Sequence, residues 1–329
     1  MPGTIGRREL IAAIGGTAVA WPLAARAQQP AKVPRLGILS PAASETAATL
    51  TAFREEIRNL GYIEGQTITL DFRLSKGGVD ALPALAAELV RIPVNVIITD
   101  TTSATLAAFD ATRTIPIVMG ATGGDPVALG LAKTISRPGG NVTGAQLLTG
   151  LSQRRLQLLK QAFPGAKRVA VLANPKDALS ASEMPKVERA ATRMGVRLLP
   201  FAASTPAELR AFAPSALSGS DGLLVMPGGM FWNNRATIID IASMARVPAI
   251  YAEREYANDG GLIAYGPDVS EHFRLAAGYV DRILRGANPG DLPIFAISKF
   301  DFVINLSTAH VLGLALPPDF VSAANEVIE

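Results

Sequence analysis

From residue 34 onward, short apolar runs alternate with stretches whose apolar residues recur every three or four positions. Arg35–Ser40, Val94–Thr99 and Ile115–Met119 read as buried strands, and Thr67–Leu74 as a strand alternating through Ile68, Leu70 and Phe72. Between them, Thr46–Leu60 sets Leu50, Phe53, Ile57 and Leu60 on one helical face with Arg54, Glu55, Glu56 and Arg58 opposite. Ala81–Arg91 and Ser103–Thr112 are further helices. The same order returns downstream. Arg168–Ala173, Val196–Phe201, Asp221–Met226 and Val247–Tyr251 are strands, separated by helices Glu183–Met194, Pro206–Leu217 and Asn234–Arg246.

Strands separated by helices imply a parallel sheet covered on both faces, an α/β fold. Pairing Arg35 with Arg168, Ile68 with Val196, Ile97 with Leu223 and Ile115 with Val247 gives offsets of 133, 128, 126 and 132 residues. Such regular spacing predicts two similar doubly wound (Rossmann-like) domains, joined near Pro138–Gln146. Gly261–Tyr265 adds a strand and Val269–Arg285 a long helix with Phe273, Ala276, Ala277, Val280 and Leu284 on one face. Pro293–Ser298 and Phe300–Leu306 are extended, and Ser307–Leu312 starts a short helix. This appendix has the length to recross between the halves.

The first 27 residues read as an address. Arg7 and Arg8 precede an apolar stretch from Leu10 to Ala25, and Ala25-Arg26-Ala27 supplies small residues for cleavage near Ala27. That stretch, broken by Gly15, Gly16 and Pro22, is shorter than the ~20 residues needed to span a bilayer. Paired arginines point to twin-arginine export. Gly6 in place of serine, and no lysine after the apolar start, leave the general secretory route open. Either way the mature chain is expected outside the cytoplasm, in the periplasm, with no membrane span.

Composition narrows the chemistry. At 49% apolar the chain has ample core, and its +3 formal charge falls to +1 once the first 27 residues (three Arg, one Glu) are removed. Nothing resembles the basic stripe of a nucleic-acid binder. Absence of cysteine excludes disulfides, thiolate metal sites and cysteine nucleophiles, and two histidines exclude a multi-histidine metal site. The G-x-S-x-G elbow, the P-loop and a strand-following G-x-G-x-x-G are all missing. His272 and His310 fall in helical segments as ordinary helix residues. No catalytic residue, no metal site and no cofactor is expected.

Ligands of open parallel sheets sit beyond the carboxyl ends of the strands. Asp100-Thr101-Thr102-Ser103 joins a strand to a helix, as an anion seat or simply an N-cap. On the first alternative, replacing Thr101 and Thr102 by Val weakens binding and spares the melting temperature. Thr122 is a better contact than Asp125, which caps a helix begun by Pro126. Ser40 and Asn174 end the opening strands of their halves and place a hydroxyl and an amide toward the cleft. Gly228 and Trp232 offer backbone access and an aromatic face, with Trp232 equally suited to packing against its own domain. Tyr251 and Glu253 follow the last repeated strand, and Glu253 either receives a ligand ammonium or pairs with Arg254.

Several phrases resemble one family throughout: Gly61-Tyr-Ile-Glu-Gly-Gln, Leu82-Pro-Ala-Leu-Ala-Ala-Glu-Leu-Val, Gly124-Asp-Pro-Val, Arg137-Pro-Gly-Gly-Asn-Val-Thr-Gly, Gly260-Gly-Leu-Ile-Ala-Tyr-Gly-Pro and Val303-Ile-Asn-Leu. The chain resembles the substrate-binding proteins of ABC importers, among them tryptophan- and tyrosine-type members. That resemblance implies a type I periplasmic binding fold with three crossovers, near Gly144, Tyr265 and Ser298. The lobes would be 34–144 with 266–297, and 145–265 with 298–329. Ser40, Thr101, Thr102, Ser103 and Thr122 would form one wall; Asn174, Gly228 and Tyr251 would form the other. It also implies a small organic solute, an amino acid or an aromatic or organic acid, and permease subunits as partners. The loops at Val225–Trp232 and Tyr251–Arg254 depart from common relatives, so the ligand does not carry over. A two-domain α/β enzyme of glycosyltransferase type conflicts with export, and a repressor effector domain lacks its DNA-reading helix.

Overall fold

The computed structural model describes residues 33–329 apart from 43, 44, 46, 47, 77, 149, 213, 297 and 298; the stretch at 1–27, read above as an export signal, lies outside them. Thirteen strands occur among the described residues. In chain order they are β1 (Arg35–Ser40), β2 (Thr69–Leu74), β3 (Val96–Thr99), β4 (Ile117–Gly123), β5 (Val142–Leu147), β6 (Arg168–Ala173) and β7 (Arg197–Ala202). β8 (Gly222–Val225), β9 (Ala249–Tyr251), β10 (Ile263–Pro267), β11 (Phe295–Ala296), β12 (Phe300–Asn305) and β13 (Glu326–Ile328) follow. The helices are α1 (Ala48–Asn59), α2 (Leu82–Arg91), α3 (Thr102–Ala111), α4 (Leu151–Ala162), α5 (Ala178–Arg193) and α6 (Pro206–Ala211). Then come α7 (Gly229–Asn233), α8 (Arg235–Met244), α9 (Arg254–Asn258), α10 (Val269–Leu284), α11 (Leu306–Leu312) and α12 (Pro318–Ser322).

The strands build two sheets, ordered β11-β5-β4-β3-β1-β2 and β13-β12-β10-β9-β8-β6-β7. Pairing is parallel except where β12 returns antiparallel against β10. Read from its outer edge, each sheet begins with its second strand, then its first, then its third. That is the doubly wound order whose connections diverge between first and third strands and open a crevice at their carboxyl ends. The two switch points are β1/β3 and β6/β8.

Apolar faces explain the layering. Leu50, Phe53 and Ile57 of α1 meet Phe273, Ala276, Ala277 and Val280 of α10 over Leu36, Ile38 and Val118. On the opposite face, Leu82, Ala86 and Leu89 of α2 and Ala104 and Ala108 of α3 cover Leu39, Ile97 and Met119. The second sheet is covered likewise, with Leu156, Leu159 and Val187 on one face and Ile238, Ile241 and Ala242 on the other.

The chain passes between sheets three times: from β5 to α4, from β10 to α10, and from β11 to β12. Val142–Leu147 is therefore a strand of the first sheet and not merely a connection, and the first passage, expected near Gly144, falls just beyond Leu147. Gly144 sits inside that strand at φ +115°, where an added Cβ would lie 2.4 Å from the Met119 carbonyl oxygen. Only glycine fits there. Helix α4 escapes the sequence reading because Arg154, Arg155 and Lys160 interrupt its apolar stripe, although Leu156, Leu158, Leu159 and Ala162 are buried. The expected helix Pro206–Leu217 divides into α6 and a short turn at Pro214–Leu217, since Pro214 cannot continue the first helix.

Candidate functional site

The loops after β1, β3, β6, β8 and β9 converge on one cleft of about 750 Å³, its mouth to solvent included. The wall from the first sheet carries Pro41, Ala42, Asp100, Thr101, Thr102, Ala121, Leu147 and Phe273; the facing wall carries Asp177, Leu179, Pro227, Gly228, Gly229, Trp232, Asn233 and Glu253.

The two walls touch. The Ser103 hydroxyl accepts from the Ala178 amide at 3.2 Å, and Asn233 Nδ2 donates to the Pro41 carbonyl at 2.9 Å. At the rim Lys176 pairs with Asp80 at 2.7 Å. Gly229 packs so closely on Pro41 that a Cβ there would lie 2.6 Å from its ring. This is a shut cleft.

Of the ten residues expected from sequence, Thr101, Thr102, Gly228, Trp232 and Glu253 line the cavity. Thr101 caps α3 by accepting from the Ala104 amide at 3.2 Å. The Thr102 hydroxyl is buried, donating to the Gly123 carbonyl at 3.0 Å and accepting from the Gly123 amide at 2.9 Å. Both hydroxyls are thus engaged by the protein, which corrects the expectation that removing them would spare stability. The first-turn amides of α3 are the groups a helix leaves for a ligand.

Ser40, Ser103, Thr122, Asn174 and Tyr251 stand outside the lining. Ser40 donates to Asp100 Oδ2 and accepts from the Ala42 amide at 2.9 Å. Ser103 joins the two walls. The Thr122 hydroxyl meets that of Thr105 at 2.6 Å, and Thr105 meets Thr99 at 2.7 Å, a hydroxyl chain beneath the loops. Asn174 closes its own turn by accepting from the Lys176 amide at 3.0 Å. Tyr251 is buried, stacked on Tyr256 with ring centroids 4.6 Å apart. Tyr256 in turn meets Trp232 edge-on at 6.3 Å, so Trp232 both faces the cleft and packs on its own domain.

Glu253 does not pair with Arg254, whose guanidinium instead holds Asp301 and Glu326. The cations that oppose the charge of Glu253 are Arg155 first and then Arg235; Arg155 is a buried guanidinium on α4 whose Nε donates to the Tyr265 carbonyl at 2.7 Å. Burial pushes the Glu253 carboxyl up to about 7 against that attraction. It also depresses Arg155, against the charges of Glu253 and Glu183.

Sequence reasoning passed over Asp177, and named Asp100 only as the first residue of the segment ending at Ser103, not as a contact in its own right. Asp177 caps α5 through the Ser180 amide at 2.9 Å, and burial raises its carboxyl against the amides of Ser180 and Leu179. Asp100 ends β3. Burial pushes its carboxyl up to about 7, against the Ser40 hydrogen bond and its own backbone amide, and Oδ1 is buried without a side-chain partner. A carboxylate directly after a strand at a switch point was the available signal for Asp100. Among the described residues no group of three or more His, Cys, Asp or Glu could hold a metal ion.

A family model described as ABC transporter substrate binding protein matches residues 41–328. The chain belongs to this family. As an ABC transporter substrate-binding protein it is 26% identical to a tyrosine-binding protein of Clostridioides difficile over 80% of its length and 75% of the relative's. A conserved domain protein from Vibrio cholerae superposes with a TM-score of 0.82 at 26% identity, covering 90% of this chain and all of the other. A Streptococcus domain in complex with L-Trp gives 0.80 at 23% identity, and covers 90% of this chain and 99% of that one. The ligand-free, open structure of a Clostridium difficile substrate binding protein gives 0.61 at 25% identity, with coverage of 90% and 99%. The fold is the type I periplasmic binding arrangement of these neighbours. Among the described residues no helix is long and apolar enough to cross a membrane.

Proposed function

We propose that this substrate-binding protein serves an importer. Exported and cleaved near Ala27, it works in the periplasm, captures a small organic solute between its lobes and delivers it to permease subunits. The solute is an amino acid or an aromatic or organic acid. Thr101, Thr102, Gly228, Trp232 and Glu253 line its site, while Ser40, Ser103, Thr122, Asn174 and Tyr251 hold that lining in place. The protein binds without catalysis.

One observation carries this reading: loops from both switch points meet around a single cleft and are tied to each other across it by the Ser103–Ala178 and Asn233–Pro41 hydrogen bonds. A solute touching both walls favours the shut state by its preference for that state. Trp232, Phe273 and Leu147 give the cavity an apolar and aromatic part beside its carboxylates. The name of the tyrosine-binding relative supports an amino acid as the class. Native mass spectrometry of the purified protein, followed by calorimetry against a solute library, tests the reading. A stoichiometric complex with one solute class is expected, and failure of every solute to bind overturns it.

A further inference from the structure

We infer that Arg155 and Glu183 anchor the hinge, and that Arg155 is a positioning residue for closure on the solute. This rests on the reading that the lobes close about the cleft. The two side chains hold two of the three crossovers where these leave the second lobe. Glu183 of α5 is buried and grips the first, accepting from the Gly150 amide at 2.9 Å and the Ser152 amide at 3.3 Å. Arg155 of α4, only 2% exposed, donates through Nη1 to the Ser152 hydroxyl at 3.3 Å. Its Nε donates to the Tyr265 carbonyl at 2.7 Å, in the strand that leads into the second crossover. The Tyr265 ring in turn stacks on Phe300, which opens β12 beyond the third crossover, with centroids 5.9 Å apart. All three exits are thus linked through one buried guanidinium.

A buried charge is costly, and apolar residues of the same volume are often no less stable. What the arginine adds is direction, because its planar fork fixes two chain exits relative to each other. The contacts that shut the cleft, Ser103 with Ala178 and Asn233 with Pro41, are short and directional. They form together only if the lobes turn about a fixed axis. The same guanidinium supports the solute-facing wall. Its Nη2 lies beside Gly266, where an added Cβ would be 3.5 Å away, and Gly266 packs so closely on the Ala252 carbonyl that no Cβ fits there. Ala252 precedes Glu253 of the cleft lining, and Arg155 is the leading positive charge set against that carboxyl. The loop that faces the solute and the strand that leaves the lobe rest on one side chain.

Paired spin labels read the pivot directly. The chain has no cysteine, so Ala84→Cys on α2 and Ala207→Cys on α6, both exposed, place one label on each lobe. Double electron–electron resonance on the ligand-free mature protein is expected to give narrow separations when Arg155 and Glu183 are intact. Arg155→Met should lose them to one broad distribution. Arg155→Lys keeps the charge but cannot fork between Ser152 and Tyr265, and should broaden them too. Arg155→Met combined with Glu183→Gln removes both buried charges and keeps an acceptor for an amide; it should fold, by circular dichroism, and stay broad. A lowered melting temperature with separations still narrow marks a merely structural role and overturns the inference. Separations equally narrow in all variants, or broad with the anchor intact, overturn it as well and leave the receptor reading standing. Failure of all three variants to fold overturns a role confined to the hinge. The receptor reading fails separately, if no solute binds in calorimetry.

Discussion

Ser40 and Asp100 lie sixty positions apart and meet at the switch point of the first sheet, where the serine hydroxyl donates to one oxygen of the aspartate and the other is buried without a partner. Two strands that are neighbours only because the sheet order places β1 beside β3 thereby build one acceptor. Ser40→Ala removes the donor that holds the carboxyl. Hydrogen bonds to charged groups contribute about 1.5–3 kcal/mol, so the melting temperature of the ligand-free protein should fall by several degrees. A thermal melt by circular dichroism checks it, and an unchanged melting temperature would contradict it.

Gly229→Ala should hinder closure. The new methyl would meet the Pro41 ring at 2.6 Å on the opposite wall. Because that clash exists only in the shut state, it acts on binding and not on folding. An affinity loss of about 10-fold with an unchanged ligand-free melting temperature is expected; this corresponds to about 1.4 kcal/mol of bias against the shut state. A lowered melting temperature of the ligand-free protein would count against this account.

Thr102→Val is expected to destabilise the fold as well as the site. Its hydroxyl both donates to and accepts from Gly123, and Val leaves a buried carbonyl and amide unpaired. Such losses cost about 1–3 kcal/mol. In a chain this long that lowers the melting temperature by several degrees, at about 2–4 °C per kcal/mol. A thermal melt by circular dichroism checks it.

Closure without solute should depend on pH. In the shut cleft burial holds Asp100 and Glu253 at about 7, from ordinary values of 3.8 and 4.5. The shut form therefore binds more protons than a solvated open form between about pH 4 and 7, and acid favours it. That advantage is complete below the ordinary carboxylate values and is lost as pH rises through 7. Asp177, raised by burial, acts in the same direction, while the positive charge of Arg155 opposes protonation of Glu253. The radius of gyration of ligand-free protein should shrink from pH 8 to pH 5, and Asp100→Asn should reduce that change.

Much of this was legible in the sequence because buried parallel strands and amphipathic helices have distinct periods. The repeat offsets pointed to two sheets before any strand pairing was known. Strand β5 was not legible: Gly144 breaks its pattern, yet that glycine is what lets β5 lie against Met119. Half of the expected site residues face the cleft. Ser40, Thr122 and Tyr251 stand outside its lining, because periodicity cannot say whether a strand-end side chain points to the cleft or to its neighbours. Asp100 was named only within its strand-to-helix segment because its meaning depends on the partner it lacks. Spacing along the chain carries no trace of an unfilled hydrogen bond.

Small-angle scattering of the mature protein with and without a solute identified by calorimetry tests the central claim most directly. Two lobes closing on a solute predict a smaller radius of gyration in its presence, with Gly229→Ala showing a reduced contraction. Superimposable curves at saturating solute would contradict closure of this cleft as the binding event.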